Sequence, residues 1–323
     1  NNIEIYPKDT QSDPNITLKS ALELNNMKIN LIIGPIFYDN LIFLEEIENT
    51  IFLSLTNKTL NLPKNVISTG INSSSQLNTI KKFLEENEIK KTITLIPNLN
   101  YDLEIKQGIK KSKIKIFKEY FYDIEPTKLT KQIEKITNYD IRKQNLLDEI
   151  KRLENSEDPS KEIKIENLKK RYTLGKLKFD SVLIADFDES LKSVITSLLY
   201  SDVSPKDKYF ITLNQWFDET LLNEKISQPI FYPSVNKKNL ENFEIKFFDK
   251  FNEKPNHISL LSYDLVGLIY YLSLKNDLSN IDKAFKSKNT FKGKIGIFDI
   301  ENNKINHQLN FYKIENGSFK EIF

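Results

Sequence analysis

The chain has 323 residues, enough for two ordinary domains with separate cores, and its 47 basic and 45 acidic side chains nearly cancel. That balance argues against a dedicated nucleic-acid binder, whose phosphate contacts need a strongly positive surface. With no cysteine there is no disulfide, thiol nucleophile or thiolate metal site, and no apolar run reaches the roughly 20 residues needed to span a bilayer.

Taken in chain order, short β-like runs alternate with helical patterns. The runs are "IEIY" (3–6), "INLIIG" (29–34), "IFLSLT" (51–56), "TITLIP" (92–97), "KIKIF" (113–117), "SVLIAD" (181–186) and "YFITL" (209–213). Between them, Leu77, Ile80, Phe83 and Leu84 share one helical face, as do Leu191, Val194, Ile195, Leu198 and Leu199. The central runs are apolar almost throughout, as strands covered on both faces are. Alternating βα units predict parallel sheets with helices on both sides. The lysines of "KKSKIKIFK" predict an edge strand, with Ile114 and Ile116 inward.

Residues 127–172 break that rhythm with strongly helical, heavily charged sequence. Leu129, Ile133, Ile136, Leu146, Ile150 and Leu153 mark a stripe, and "ENSEDPS" interrupts it. The reading is a helix, a turn and a returning helix carrying Ile163, Ile165 and Leu168. Further on, "SLLSYDLVGLIYYLSL" is apolar nearly all round and should be buried. The last 30 residues read as antiparallel strands joined by Asn- and Gly-containing turns.

Chemistry is scarce. The eight glycines form no dinucleotide fingerprint, and neither Gly175-Lys176 nor Gly293-Lys294 is followed by Ser or Thr. There is no nucleophile elbow. His257 and His307, the only histidines, lie on different predicted elements, and a structural role is expected for each over a catalytic one. No catalytic residue, metal site or cofactor is assigned, and the chain is read as a non-enzyme.

Binding remains. In open α/β sheets, ligands sit beyond the carboxyl ends of the strands. The turns there, "GPIFYDN", "SLTNKT", "PNLNYD", "ADFDES" and "LNQWFDE", mix aromatic with amide and hydroxyl groups, as pocket walls do. The plainer reading is that Phe37, Phe187 and Trp216 cover cores while Asp39, Asp188 and Asp218 cap helices.

The order "LIIGPIFYDN", "IFLSLTN", "NVISTGIN", "ITLIPNLNYD" resembles the type I periplasmic binding proteins, the leucine/isoleucine/valine-binding class. "YFYDIEPTKLTKQIEKITNYDIRKQNLLDEIKRLE", "TLGKLKFDSVLIAD", "SLLSYDLVGLIYYL" and "GKIGIFDIENNKINHQLNFYKIENGSF" resemble their penicillin-binding-protein activator branch. The resemblance implies an α/β fold of two lobes, each a mainly parallel sheet flanked by helices. It puts residues 1–72 and 232–291 in lobe 1, and residues 73–231 and 292–323 in lobe 2, with a helical hairpin insertion at 127–172. Ligand contacts carried over by resemblance fall on Phe37, Tyr38, Thr56, Asn57, Asn100, Tyr101, Asp186, Phe187, Gln215 and Trp216. Asp186 would anchor an α-ammonium, and Thr56 with nearby amides would hold a carboxylate.

Two features depart from the resemblance. The serine run of amino-acid binders is replaced by "IFYD", which weakens the case for a free amino acid. The first family strand and helix, which precede "IEIY", are absent from this sequence and are expected to lie in residues not included. The implied function is a periplasmic regulator of a peptidoglycan synthase acting through protein–protein contact. The alternative is the substrate-binding component of an ABC transporter for amino acids or similar solutes. The implied partners are an amino acid or peptide-like ligand in the inter-lobe cleft, and a penicillin-binding protein or transporter membrane subunits. Peripheral membrane attachment would come through a removed N-terminal lipid anchor.

Overall fold

The structure is a computed structural model and describes residues 4–275 and 281–323. The chain is mixed α/β and forms two compact units. Unit 1 comprises Asn1–Thr79, Lys106–Lys113 and Ser234–Asn310; unit 2 comprises Ile80–Ile105, Ile114–Pro233 and Phe311–Phe323. The chain thus crosses last at Asn310, so the strands between Asn289 and Gln308 cluster with unit 1, while the resemblance puts residues from 292 onward in lobe 2.

In unit 1, α1 (Pro14–Asn26) starts where Asp13 accepts from the N–H groups of Asn15 and Ile16, with Pro14 at the position that needs no N–H. Strands β1 (Leu31–Ile33), β2 (Ile51–Ser54) and β3 (Val66–Ser68) form a parallel sheet in that order. One face packs Phe52, Val66 and Ile32 with Ala21 of α1. The other packs Leu53, Ile67 and Leu31 with the leucines of a long helix described below. Gly34, which ends β1, has φ +109°, a conformation that suits a residue without Cβ. The 4–6 part of "IEIY" forms no strand, and Ile3 lies outside the described residues.

Helices α2 (Ser73–Glu86) and α3 (Asp102–Ser112) flank β4 (Thr92–Pro97), which is buried at all six positions. In unit 2, β4, β5 (Lys118–Tyr122), β6 (Ser181–Ile184), β7 (Tyr209–Thr212) and β8 (Ile230–Ser234) are the parallel part of a seven-stranded sheet. Its order is β13-β12-β8-β7-β6-β4-β5, where β12 (Asn310–Glu315) and β13 (Ser318–Glu321) are a closing antiparallel hairpin. The edge strand is displaced from its predicted place: residues 114–117 are irregular and β5 follows them, although Ile114 is buried as expected. "VIS" and "IFYPS" are also strands, too short or too Pro-containing for their pattern to show.

The insertion holds three helices rather than two: α4 (Pro126–Thr137), α5 (Tyr139–Glu154) and α6 (Lys161–Lys169). Asn138, left-handed at φ 51°, separates α4 from α5. Leu129 and Ile133 pack in the core with α7 (Asp188–Tyr200). Leu146 and Leu153 are buried, but α6 buries none of its residues and leaves Ile163 exposed. Arg142 ties α5 down: it donates to the carbonyls of Thr137, Ser201 and Asp202, so one guanidinium serves the ends of α4 and α7.

Unit 1 is completed by α8 (Lys237–Phe251), α9 (His257–Lys275), α10 (Ile281–Lys286) and an antiparallel sheet of β9 (Asn289–Lys292), β10 (Ile297–Glu301) and β11 (Lys304–Gln308), ordered β11-β10-β9. Helix α9 is not buried all round as its sequence predicts. Leu265, Leu268 and Leu272 enter the core, while Tyr263, Val266, Tyr270 and Leu274 are exposed. Among the described residues it is the one helix long and apolar enough to cross a membrane by length and composition, and its leucines are core residues of unit 1.

Candidate functional site

The candidate residues fall at carboxyl ends of parallel strands, in two sets that belong to different units. Asp186 follows β6 and is 3% exposed. Its carboxylate accepts from the hydroxyls of Tyr122 and Tyr101 (the latter at 3.3 Å) and from the Phe187 N–H at 2.9 Å. The Tyr101 hydroxyl also lies 3.3 Å from the Ala185 carbonyl. Thr212 Oγ1 donates to the Asp186 carbonyl at 3.2 Å, and Gln215 Nε2 lies 3.0 Å from Thr212 Oγ1. Three strands are therefore joined at their ends through one buried acid and the residues around it.

Burial pushes the Asp186 carboxyl above the usual carboxylate range, and the tyrosine and amide hydrogen bonds pull it part of the way back. Burial and the neighbouring Asp186 raise the phenols of Tyr101 and Tyr122 well above their ordinary value, so both remain donors. The carboxylate expected to anchor an ammonium is thus committed to protein donors on both oxygens, with three of its roughly four acceptor sites in use.

The other second-unit candidates surround this cluster. Phe187 stands edge-on to Tyr101, ring centroids 6.3 Å apart. Asn100 is exposed in the turn after β4. Trp216 is half-buried, its N–H donating to Asn214 Oδ1 at 2.9 Å; Phe217, the next residue, enters the core against Tyr312 and Phe319. Asp218 does cap a short helical turn, accepting from the Thr220 N–H at 2.8 Å.

In unit 1, the ends of β1 and β2 gather Phe37, Tyr38, Thr56 and Asn57. Ser54 Oγ donates to the Pro35 carbonyl at 2.7 Å and accepts from the Thr56 N–H at 3.3 Å. Thr56 Oγ1 accepts from the Lys58 N–H at 3.2 Å, so these amides are used within the loop. The Tyr38 hydroxyl is 3.2 Å from the carbonyls of Leu60 and Asn61, and the Lys58 ammonium lies 4.5 Å from its ring centroid. Phe37 is 56% exposed and Asn57 is exposed. Among the described residues no group of three His, Cys, Asp or Glu could hold a metal. His307 is buried, with Nε2 donating to the Thr69 carbonyl at 2.8 Å, a structural histidine.

The residue that sequence reasoning missed is Tyr122. Its signal was the alternation in "YFY": Tyr120 and Tyr122 point inward and Phe121 outward, the period of a strand. Placing the strand five residues too early hid it.

No family model matches this sequence, and no curated protein does. Solved structures do match. The C-domain of LpoA from Haemophilus influenzae, described as a regulator of PBP1A, has a TM-score of 0.61 at 11% identity, covering 98% of this chain and 88% of that one. An ABC transporter substrate-binding protein from Desulfitobacterium hafniense, in complex with Leu, has a TM-score of 0.63 at 13% identity, over 98% and 87%. A branched-chain amino acid ABC transporter periplasmic ligand-binding protein from Burkholderia xenovorans scores 0.66 at 8% identity, over 98% and 82%. The fold is that of the type I periplasmic binding proteins. At these identities the likeness speaks of fold, and the site must argue function.

Proposed function

We propose that this chain is a non-enzymatic regulator of a peptidoglycan synthase, acting in the periplasm through protein–protein contact. The observation that carries the reading is Asp186: the acid best placed to hold a ligand ammonium is buried and engaged by Tyr101, Tyr122 and the Phe187 N–H. The strand-end residues of each unit, Phe37, Tyr38, Thr56 and Asn57 in one and Asn100, Tyr101, Phe187, Gln215 and Trp216 in the other, are in this proposal not a working ligand site. The lobes are taken as the two compact units, with the last crossing at Asn310 in place of the Thr290–Gly293 implied by the resemblance. The solved LpoA C-domain, a regulator of PBP1A, supports the reading by fold.

The alternative is the solute-binding component of an ABC transporter. Exposed Phe37 and the Tyr101–Phe187 pair favour it, since aromatic side chains at strand ends suit the walls of a ligand site. Thermal shift with leucine, isoleucine and short peptides separates the two. A receptor at a hundredfold excess over Kd gains about 2.7 kcal/mol, whereas the regulator's melting curve stays in place. Co-precipitation with a purified penicillin-binding protein is the complementary measurement, and its failure alongside leucine-dependent stabilisation would replace the first reading by the second.

A further inference from the structure

The parallel strands of unit 2 begin level with one another. Thr92, Ser181 and Tyr209 share one register row, and the Phe117 N–H donates to the Thr92 carbonyl at 2.7 Å. The segments that open these strands, 88–91, 115–119, 176–180 and 206–208, hold eight lysines and four acids, although the whole chain is nearly balanced. One of those acids, Asp180, already accepts from the Lys91 N–H at 3.1 Å. The amino ends of the strands, opposite the turns discussed above, therefore carry a positive field that steers anions.

At the β5 end of that row lies a cavity of about 550 Å³, built within unit 2 by the start of β5, the last turns of α4 and the residues before β6. Ile93, Ile136 and Phe179 give it an apolar floor continuous with the core, and the rings of Phe117 and Tyr120 stand on its wall. Lys118, Lys135 and Lys178 line it, and no carboxylate does. The Lys118 ammonium lies 4.8 Å from the Tyr120 ring centroid. Lys128, earlier on α4, pairs with Asp123 at 3.2 Å, but among the described residues none of the three cavity lysines has a carboxylate in ion-pair reach. The carboxyl end of α4, which alone would repel an anion, is occupied: the Thr137 carbonyl accepts from Arg142 at 3.1 Å, and those of Glu134 and Lys135 accept from the Asn138 N–H. Protection of the β5 edge does not account for these cations, because Lys135 and Lys178 lie off the edge strand.

We propose that this cavity binds a small anion, a ring that carries a phosphate monoester. Three ammonium groups without a carboxylate call for more charge than one carboxylate brings, and a phosphate monoester carries about −1.5 to −2 at pH 7. Lysine meets phosphate as a point charge and needs no fixed fork. The remaining surface is aromatic rings and branched carbons, which a bare ion leaves unfilled and the ligand's ring covers. The volume is that of a small-molecule site, for which roughly 300–1,000 Å³ is usual. Gln132 gives its carbonyl oxygen to the Asp123 N–H at 2.9 Å, so its amide NH2 is a donor for a polar group on the ring. The site lies within unit 2 and is independent of the strand-end residues and of the function proposed above.

The probe is 1-naphthyl phosphate, titrated calorimetrically into the 323-residue chain at low ionic strength, with inorganic phosphate and 1-naphthol as its two halves. Saturable binding is expected, about tenfold or more tighter than either half. Lys118→Gln combined with Lys178→Gln should weaken it by about tenfold or more, since each removes a charged contact. Tyr120→Leu should weaken it severalfold, and Lys128→Gln, outside the cavity, should leave it unchanged. Both lysines of the double variant are exposed, so the core stays intact, and circular dichroism checks the fold of every variant. No binding overturns the proposal, as does an unchanged affinity in the folded double variant. Inorganic phosphate binding as tightly as the probe would leave a bare cation cluster, and 1-naphthol doing so would leave an apolar pocket. Either result overturns the proposal.

Discussion

In unit 2, β4 is buried along its whole length and has a parallel neighbour on each side; in unit 1, β1 is three residues long, partly exposed and paired on one side. Both are runs of Ile and Leu with a near neighbour in parallel register. The difference lies in what covers them. The β4 side chains are sealed within a continuous core of β-strands and α7, whereas β1 borders an open groove. Composition can predict a strand, but its stability comes from coverage, which among the described residues is fuller around β4 than around β1.

The largest way to break this comparison is to cut into each sheet. Phe210→Ala in β7, a fully buried site, is expected to cost ~3–5 kcal/mol. Ile32→Ala in half-buried β1 should cost less than half as much, because water already reaches part of its surface. Urea unfolding, followed by Trp216 fluorescence for unit 2 and by circular dichroism for the whole, reads both. Equal costs would mean that the two sheets are equally sealed.

Acid should weaken unit 1 through His307, whose imidazole burial pushes down to about 4. A depressed value means stability that is complete above the unfolded value near 6.5 and is lost as pH falls toward 4. The loss over that window is about 3 kcal/mol. Asp186 in unit 2 has the opposite sign: its carboxyl is raised, so its contribution is greatest below the ordinary value near 3.8 and fades as pH rises. Comparing wild type with His307→Gln isolates the first effect. Parallel pH profiles for the two proteins would remove His307 as its source.

Tyr122→Phe tests the strand-end cluster. It deletes the donor to a buried carboxylate and should cost about 2 kcal/mol, while pushing the Asp186 carboxyl higher still. A titration of Asp186 by NMR that does not move would show that the hydroxyl is a bystander.

Much of this fold was legible in sequence. Runs such as "TITLIP" and "SVLIAD" sit inside one sheet with cover on both faces, so their local pattern and final environment agree. The pattern failed where coverage is uneven. Helix α9 reads as apolar all round, but only its leucine side meets a core, and the edge strand slid because "KIKIF" and "KEYFY" both alternate. The strand-end turns were located correctly at the ends of their strands, yet the role of Asp186 was not visible, because its partner Tyr122 comes from another strand 64 residues away. Arg142 was invisible for a similar reason: on a helix of mixed charge, nothing marks the one cation whose acceptors are carbonyls 59 and 60 residues away.

The smallest expected effect concerns the insertion, whose two ends differ as the two sheets do. Its base is integrated: Leu129 and Ile133 are core residues, and removing α5 would strip Arg142 from the carbonyls of Ser201 and Asp202. A deletion from Asn138 should therefore destabilise unit 2. Helix α6 is different, since it buries no residue and Ile163 is 66% exposed. Ile163→Ser should change stability by no more than ~0.5 kcal/mol, the range of surface substitutions. If the tip is where a synthase docks, the same change should lower its affinity severalfold, because an exposed isoleucine is a contact that stability does not require. Affinity measured by surface plasmon resonance against a penicillin-binding protein decides it. An unchanged affinity with an unchanged melting temperature would make the tip an ornament and move the docking surface elsewhere on the protein.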